Sequence, residues 1–447
     1  MEYFKKYTTF ILLSLLILGC SADEESHKPL EITITNFKTS YSEVKLDWEL
    51  QRPKGVIIDD LIIYRIEKNG ESGFYLEKLV ANLPSNETSF VDNDVPYKDE
   101  VSYSVRISYR DEREKDPIRK EMKSEEKKFI REIVKFNEPP YQVQKDPLQP
   151  NIFHILNRQN NASLVRYNGL KNTIEHRTKF EDAFFINHKF HIINNNEIYI
   201  ANTKGKVLKI NADDYKTLGT YFPLVTDNMN AFFVSENRIY YQDDEQWCIY
   251  DSSTGKSARS GYVNSANYIE YIGDNKTLFL YCESEQYSAM YFLGYTRENC
   301  PDFTSCSPVN YYQTPSSVKP NSIDANIFSW NADKSKCISS INGVVFDVNT
   351  LKPEIRLYDI TGKRYFQYAY DADNNIYAAL QGEKRIHKFN SHYKLVEVID
   401  TKLYPLFPMI TTEGLKVLGS YEPVSYWSYG YGNNFSFNVR CAIETFK

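Results

Sequence analysis

The chain has 447 residues, with 53 Lys or Arg against 59 Asp or Glu and a formal net charge of −6. This balance excludes a general electrostatic attraction to nucleic acid or to anionic lipid. The 36 tyrosines and 26 phenylalanines favour aromatic-rich strands over disorder. The length allows two or three domains with buried cores.

The first 19 residues predict an export signal. Lys5 and Lys6 precede an apolar run, residues 10–18, that is too short to span a membrane. The sequence "ILGC" that ends at Cys20 resembles the bacterial lipobox, in which a peptidase cleaves before an acylated cysteine. The resemblance implies that Cys20 is the lipidated first residue of the mature chain. The alternative is an ordinary signal peptide that is cut nearby and leaves a free cysteine.

An acidic tract follows the cysteine directly. Asp23, Glu24 and Glu25 stand in a row within a tether that we assign to residues 20–29. This tract resembles the signal that Bacteroidetes place after the lipid-bearing cysteine of surface lipoproteins. The resemblance implies an outer-membrane protein that is held by its lipid and faces the cell exterior. The alternative is a solvated spacer with no sorting role.

Residues 30–136 predict a first β domain. Period-two alternation in "ITITNF", "VKLDW", "DDLIIYRIE" and "EVSYSVRISYRD" is typical of half-buried strands. Trp48 and Tyr103 resemble the core tryptophan and the tyrosine corner of a fibronectin type III domain, which implies an Ig-like sandwich. The charged stretch that begins at Arg113 predicts a protruding hairpin whose return strand lies near "KKFIREI", with a short helix as the alternative.

Residues 137–150 predict the connection to a second domain. The stretch "NEPPYQVQKDPLQP" holds four prolines, each of which lacks a backbone donor and has a fixed φ. It is therefore interpreted as a stiff linker or an extended edge crossing.

Residues 151–447 contain a repeat in which an apolar residue, Asn or Asp and a turn recur. The apolar anchors are spaced by 43, 40, 98 and 41 residues, and they are Tyr167, Ile210, Tyr250, Val348 and Phe389. An all-strand repeat of this period predicts a β-propeller, so the whole chain is expected to be all-β. Seven blades are favoured, with six or eight left open. The Asn or Asp after the third strand of each unit suits a tight turn, and pairing between the two ends would close the ring.

The cysteines and histidines predict no metal site. Cys300 and Cys306 bracket a short loop that could close as a disulfide, whereas pairing of the later cysteines Cys248, Cys282, Cys337 and Cys441 is left open. His188 and His191 would point to opposite faces of a strand and cannot share a metal. The sequence "DADNN" (371–375) suggests half a calcium loop, but its position favours a hairpin turn. No cofactor is predicted.

Two aromatic clusters are the candidate ligand platforms. Tyrosine and tryptophan faces stack on sugar rings or peptide side chains, and the members of these clusters are Tyr426, Trp427, Tyr429, Tyr431, Tyr311 and Tyr312. The alternative is that these residues are ordinary strands and turns of a tyrosine-rich fold. The sequence identifies no catalytic nucleophile or base.

A lipid-anchored sandwich followed by a propeller resembles the accessory surface lipoproteins of SusC/SusD-type uptake systems. The resemblance implies a non-catalytic binding or accessory subunit that captures oligosaccharides or peptides and contacts an outer-membrane transporter, without nucleic acid as a partner. Two alternatives stay open. One is a surface enzyme such as a glycosidase or lyase, and the other is an adhesion or scaffolding protein.

Overall fold

The structure is a computed structural model, and it describes residues 29–69, 74–136, 140–157, 162–180, 189–193, 196–202, 204–226, 229–235, 237–243, 246–262, 266–271, 278–284, 289–295, 310–313, 324, 326–424 and 439–446. The chain divides into two compact units, which we call the N-terminal unit (to Ile133) and the C-terminal unit (Val134–Phe446). Both units are built from antiparallel strands. In the described ranges the helix α1 (Leu357–Thr361) is the one α-helix.

The N-terminal unit consists of two sheets packed face to face. Its strands are β1 (Glu31–Thr39), β2 (Val44–Gln51), β3 (Val56–Asn69), β4 (Phe74–Leu83), β5 (Ser89–Asp92), β6 (Glu100–Asp111), β7 (Lys120–Lys123) and β8 (Lys127–Ile130). One sheet has the order β1-β2-β5, and the other has the order β4-β3-β6 with β7 and β8 both paired to β6. Trp48 and Tyr103 are buried together in the core between the sheets.

The charged stretch after Arg113 returns as a broken strand. β7 pairs with the second half of β6, and β8 pairs with its first half. Ser124 lies at the break, where its Oγ accepts the Val105 N–H at 3.0 Å. The return strand therefore includes the predicted position but begins earlier, at Lys120, and the described residues of this stretch form no helix.

The described residues of the C-terminal unit form seven four-stranded sheets, numbered here in chain order. Sheet 1 consists of β10 (Pro140–Lys145), β11 (Ile152–Asn157), β12 (Ser163–Asn168) and β13 (Thr173–Lys179). Sheet 2 consists of β14 (His191–Ile193), β15 (Glu197–Ala201), β16 (Val207–Asn211) and β17 (Thr217–Tyr221). Sheet 3 consists of β18 (Met229–Ser235), β19 (Arg238–Asp243), β20 (Gln246–Asp251) and β21 (Lys256–Tyr262).

The remaining sheets follow the same pattern. Sheet 4 is β22 (Ala266–Tyr271), β23 (Leu278–Ser284), β24 (Ala289–Tyr295) and β25 (Asn310–Gln313); sheet 5 is β26 (Phe328–Trp330), β27 (Lys336–Ser339), β28 (Val344–Asp347) and β29 (Lys352–Arg356); sheet 6 is β30 (Tyr365–Tyr370), β31 (Ile376–Leu380), β32 (Arg385–Phe389) and β33 (Leu395–Asp400); sheet 7 is β34 (Tyr404–Thr411), β35 (Gly414–Ser420), β36 (Cys441–Thr445) and β9 (Val134–Phe136).

The two ends of the C-terminal unit pair in sheet 7. β36 lies beside β9, with Cys441 opposite Phe136 and Ile443 opposite Val134. The unit therefore begins at Val134, inside the range assigned to the first domain. The proline-rich stretch predicted as a linker instead supplies β10, the first strand of sheet 1. Pro140 is tolerated there because the first residue of a strand need not donate to the ladder.

Buried side chains link each sheet to the next. Shared cores join sheets 1 and 2, 2 and 3, 4 and 5, and 5 and 6, while β18 contacts β22 between sheets 3 and 4. A further core contains Phe366 of sheet 6, Phe407 of sheet 7 and Phe153 of sheet 1. The succession of sheets thus returns to its start.

The predicted turn after the third strand is confirmed in four sheets, where an Asn or Asp Oδ1 accepts backbone N–H groups two and three or four residues later, at Asn168, Asn211, Asp251 and Asn390. Sheet 5 has the same turn at Asp347. The alignment of one unit was wrong. In sheet 5 the repeated pair is Phe346–Asp347 and not Val348–Asn349, because the Asp347 carboxylate is the group that forms the turn.

Candidate functional site

A cavity of about 730 Å³ lies at the centre of the C-terminal unit. It is lined by residues from the first strand of every sheet, namely β10, β14, β18, β22, β26, β30 and β34. Its volume falls within the range of small-molecule sites, roughly 300–1,000 Å³. The cavity is therefore the candidate site, and its chemistry is set by the side chains that seven separate strands bring together.

Hydrogen bonds across the cavity connect sheets that are distant in sequence. The Tyr141 hydroxyl donates to Asn326 Oδ1 at 3.1 Å, which joins sheet 1 to the start of sheet 5. The Gln367 side chain of sheet 6 donates to the Asn326 carbonyl at 2.9 Å. These bonds hold the first strands at fixed positions, so the cavity wall is formed before any ligand arrives.

Lys189, His191, Glu270 and Lys334 form a group that we call the lysine–glutamate cluster. Lys334 Nζ donates to Glu270 Oε1 at 2.9 Å, and the Tyr268 hydroxyl donates to Glu270 Oε2 at 2.6 Å. Lys334 has a left-handed φ of 55° in the turn between β26 and β27. This uncommon backbone conformation places a residue of sheet 5 against a carboxylate of sheet 4.

Electrostatics fixes the charge of each member at neutral pH. Burial alone would raise the pKa of the Glu270 carboxyl, but Lys334 and Lys189 overcome it and hold the pKa at about 2. Burial lowers the pKa of Lys189 to about 8 and that of His191 to about 4. At pH 7 the cluster therefore holds two ammonium groups, one carboxylate and a neutral imidazole.

Three aromatic rings are stacked beside the cluster. The Tyr268 and Phe328 centroids are 4.2 Å apart with nearly parallel planes, and Trp330 lies 6.5 Å beyond Phe328. The Trp330 indole donates to the Tyr268 hydroxyl at 3.0 Å, and Lys189 Nζ lies 4.4 Å from the Tyr268 ring centroid. The stack is thus oriented at both ends by polar contacts, and it provides the cavity with an aromatic wall.

Two residues of the cavity wall have a buried side-chain atom without a hydrogen-bond partner among the described residues. Gln142 is 6% exposed, and its Oε1 accepts the Phe190 N–H at 3.2 Å, which leaves Nε2 unsatisfied. The hydroxyl of Tyr370 is likewise unsatisfied. Each atom costs about 1–3 kcal/mol, and because both are buried neither is exposed to a ligand in the cavity.

The cavity is better suited to binding than to catalysis. Glu270 is ionised at neutral pH, because its pKa is about 2, so it has no proton to donate as a general acid; its oxygens are already bonded to Lys334 and Tyr268. Cys337 lies beside the cluster, but burial raises the pKa of its thiol, so the reactive thiolate does not form. The described cavity wall thus presents donors and rings without an activated nucleophile.

A hydrogen-bonded triad of Asp146, His154 and Tyr215 lies outside the cavity. His154 Nε2 is 3.0 Å from Asp146 Oδ2, and its Nδ1 is 2.7 Å from the Tyr215 hydroxyl. Asp146 is an acceptor, so Nε2 carries the proton and Nδ1 accepts from Tyr215. All three residues are buried between sheets 1 and 2. The triad is therefore a structural link that solvent does not reach.

Most of the residues predicted from sequence lie outside the described ranges. These are Cys20, His188, Cys300, Cys306, Tyr426, Trp427, Tyr429 and Tyr431. Tyr311 and Tyr312 fall in β25, the fourth strand of sheet 4, opposite Leu293 and Phe292 of β24. His191, considered only as a metal ligand, lines the cavity.

The structure describes three of the four later cysteines and the suggested calcium loop. Cys248, Cys337 and Cys441 are buried free thiols, whereas the side chain of Cys282 lies outside the described residues. The stretch 371–375 is a turn, as predicted: Asp371 Oδ1 accepts the N–H groups of Asp373 and Asn375 at 2.9 Å. Within the described ranges, no group of three or more His, Cys, Asp or Glu side chains is arranged to hold a metal ion.

Sequence reasoning missed the lysine–glutamate cluster. A weak signal was present, because Glu270 is the one charged residue of a first strand that is otherwise apolar or aromatic apart from Asn267, "ANYIEY". A charge at such a position is expected only where it has a partner. The identity of the partners was hidden, since Lys189 and Lys334 belong to other sheets.

Comparisons with known proteins assign this chain to no family. No family model and no curated protein matches the chain. Among solved structures, the chain is similar to the crystal structure of BamB from Moraxella catarrhalis, with a TM-score of 0.38 and 12% identity over 69% of this chain and 84% of that one. In the part of the chain that the structure describes, no helix is long and apolar enough to cross a membrane.

Proposed function

We propose that this chain is a lipid-anchored protein of a bacterial outer membrane that binds a ligand, without transforming it, for a nutrient-uptake system. The observation that carries the proposal is the central cavity, whose wall holds the lysine–glutamate cluster and Trp330. A wall of this kind recognises a polar molecule with ring or planar parts, which fits an oligosaccharide or a peptide.

The proposed architecture is a fibronectin type III-like sandwich followed by a seven-bladed β-propeller. The orders β1-β2-β5 and β4-β3-β6-β7 support the sandwich, as does buried Trp48. Tyr103 departs from the tyrosine-corner pattern, because its hydroxyl donates to the Asp92 carboxylate at 2.7 Å and not to a backbone carbonyl. The seven sheets, their shared cores and the β9–β36 pair support the propeller.

Ligand binding is tested on oligosaccharide and peptide arrays with the mature chain. The matched variant is Ala369→Trp, which fills the cavity from β30 without removing a polar group of its wall. The control is Thr173→Trp on β13, at an exposed position. We expect Ala369→Trp to abolish binding and Thr173→Trp to retain it. Equal binding by both variants would place the ligand elsewhere, and turnover of the ligand would identify an enzyme.

The anchor is tested separately, by labelling cells with radioactive palmitate. The wild-type chain is expected to carry label and to sediment with the outer membrane, whereas Cys20→Ser loses the label and becomes soluble. Protease digestion of intact cells then tests whether the chain faces the exterior. A labelled Cys20→Ser chain would refute lipidation at this residue.

The transporter is tested by extracting the tagged chain from native membranes in mild detergent. Co-purification of a SusC/SusD-type pair would support an accessory role in uptake. Recovery of the chain alone, together with loss of cell attachment but unchanged growth on every nutrient after gene deletion, would favour adhesion instead.

A further inference from the structure

We propose that the central cavity binds an acidic oligosaccharide and holds one of its carboxylate groups beside Lys189. This inference rests on the proposed function, because it names the ligand class of the same cavity. It depends on the charge of the cavity wall, on the hydrogen-bonding state of Lys189 and on the stacked rings.

The described cavity wall has more positive charges than free negative ones. Lys145, Lys189 and Lys334 line it, against the carboxylates of Glu270 and Asp371. Asp371 is occupied by its own turn, since its oxygens accept two backbone N–H groups and the side-chain amide of Asn375. Glu270 is paired with Lys334. Three lysines against two carboxylates leave one excess positive charge on the wall, and Lys145 and Lys189 are the lysines outside the Glu270–Lys334 pair.

Neither of these lysines has a carboxylate partner within the described residues. Lys145 Nζ donates to the Ile410 carbonyl at 3.1 Å. Lys189 Nζ donates to the Tyr268 hydroxyl at 3.3 Å and to the Phe328 carbonyl at 3.4 Å, both neutral and long. An ammonium group has three donors, so Lys189 can still bind an anion. Glu270 of the same cluster is already bonded to Lys334 and Tyr268, so a ligand carboxylate would give Lys189 a direct ion pair.

The hydrogen-bonding state of Lys189 favours a ligand that carries an anion. Lys189 Nζ is a donor only, and its two partners in the structure are a hydroxyl and a carbonyl oxygen. A carboxylate oxygen forms a charge-assisted hydrogen bond with such a group, which is stronger than either of these.

The aromatic stack supplies a surface for the sugar ring. Trp330 lines the cavity at the end of the Tyr268–Phe328 stack, and its orientation is fixed by the indole hydrogen bond to Tyr268. A fixed aromatic face binds the apolar face of a sugar ring with little loss of side-chain entropy. The ring and the charge thus come from adjacent parts of one wall.

The test is isothermal titration of the full mature chain with a panel of uronic-acid oligosaccharides, their methyl esters and acidic peptides of similar length. The methyl esters keep the sugar rings but lose the charge. We expect an acidic oligosaccharide to bind at least tenfold more tightly than its ester. If neutral sugars bind equally well, or if only acidic peptides bind, the inference fails and the proposed binding function stands. If no sugar or peptide binds, both fail.

Lys189→Met addresses the residue directly, because it removes the ammonium group and keeps a side chain of similar length. We expect it to weaken binding of the acidic oligosaccharide at least tenfold and to leave binding of the methyl ester unchanged. The control Lys352→Met, at an exposed position on β29, should have no effect. Unchanged affinity for the acidic oligosaccharide in Lys189→Met, with an unchanged melting temperature, would overturn the inference.

Discussion

Arg65 is a buried charge whose role is structural. It is 2% exposed; its Nη1 donates to Asp92 at 2.8 Å and to the Asp94 carbonyl at 2.6 Å, and its Nε donates to Glu67 at 2.9 Å. These bonds tie β3 to β5 and to the segment that follows it. Removal of the guanidinium would leave the Asp92 carboxylate buried without a cationic partner and Glu67 with Lys98 alone.

We therefore expect Arg65→Ala to lower the free energy of unfolding by about 3–5 kcal/mol, the usual cost of breaking a buried pair. Urea denaturation followed by fluorescence measures this change. The control is Arg110→Ala on β6, whose ion pair with Asp59 is exposed and should contribute at most ~1 kcal/mol. Similar losses in the two variants would contradict a special role for burial.

Three histidines of the C-terminal unit predict a pH dependence of stability. Burial lowers the pKa of His154, His191 and His387, to about 4 for His191. A histidine that stays neutral when folded binds fewer protons than the unfolded chain between its two pKa values. The stability is thus complete above the unfolded pKa of about 6.5 and falls as the pH drops toward 4.

The free energy of unfolding is expected to change with pH by up to ~1.4 kcal/mol per pH unit for each such histidine. Urea denaturation at pH 7.5, 6 and 5 measures it, above the range where the Glu270 carboxylate begins to lose its contribution. His191→Gln should reduce the slope, and the exposed His392→Gln should not. Constant stability from pH 7.5 to 5 would show that the imidazoles are not held neutral.

At the scale of the element, the repeated unit is defined by its third strand and the turn after it. In sheets 1, 2, 5 and 6 the register shifts just before the last apolar residue of that strand, for example at Lys209/Ile210 and Val345/Phe346. The following Asn or Asp then closes the turn with its side chain. The bulge and the turn together redirect the chain into the fourth strand.

A pair of variants in sheet 5 tests which residue closes the turn. Asp347 Oδ1 accepts the N–H groups of Asn349 and Thr350 at 3.1 and 2.9 Å, and the Thr350 hydroxyl at 3.0 Å. We expect Asp347→Ala to cost about 1–2 kcal/mol of unfolding free energy and Asn349→Ala clearly less. Thermal denaturation compares the two. A larger loss of stability in Asn349→Ala than in Asp347→Ala would support the original alignment on Val348 and Asn349.

At the scale of the molecule, the C-terminal unit depends on its last strand. Glu444 of β36 is fully buried, and its two carboxylate oxygens accept the N–H groups of Lys402 and Leu403 at 2.5 and 2.9 Å. These N–H groups belong to the connection between β33 and β34. The final strand therefore fixes the junction of sheets 6 and 7 in addition to pairing with β9.

We expect Glu444→Ala to destabilise the C-terminal unit by about 2–4 kcal/mol, because two backbone donors would be buried without acceptors. Glu444→Gln retains one carbonyl oxygen and should lose less. Hydrogen exchange would then report earlier opening of β34 and β36 than of β11. Equal exchange rates in β34, β36 and β11 would indicate that loss of Glu444 does not open sheet 7 before the other sheets.

The elements could be predicted from sequence because their causes are local. Alternation marks the strands of the N-terminal unit, and the Asn or Asp that follows an apolar residue marks the turns of sheets 1, 2, 3 and 6. The export signal, the lipobox at Cys20 and the acidic tract are likewise continuous stretches, and their roles stay predictions. The one misaligned unit arose because two residue pairs in sheet 5 fit the same local pattern.

Only the tertiary structure decided what meets at the centre of the C-terminal unit. Lys189, Glu270 and Lys334 lie in sheets 2, 4 and 5, and no local pattern relates them. Their proximity follows from the order in which seven sheets pack side by side and from the pairing of β36 with β9. The same closure made a strand of the proline-rich stretch. A sequence states which face of a strand is apolar, whereas the partner of a buried charge is set by contacts between residues far apart in the chain.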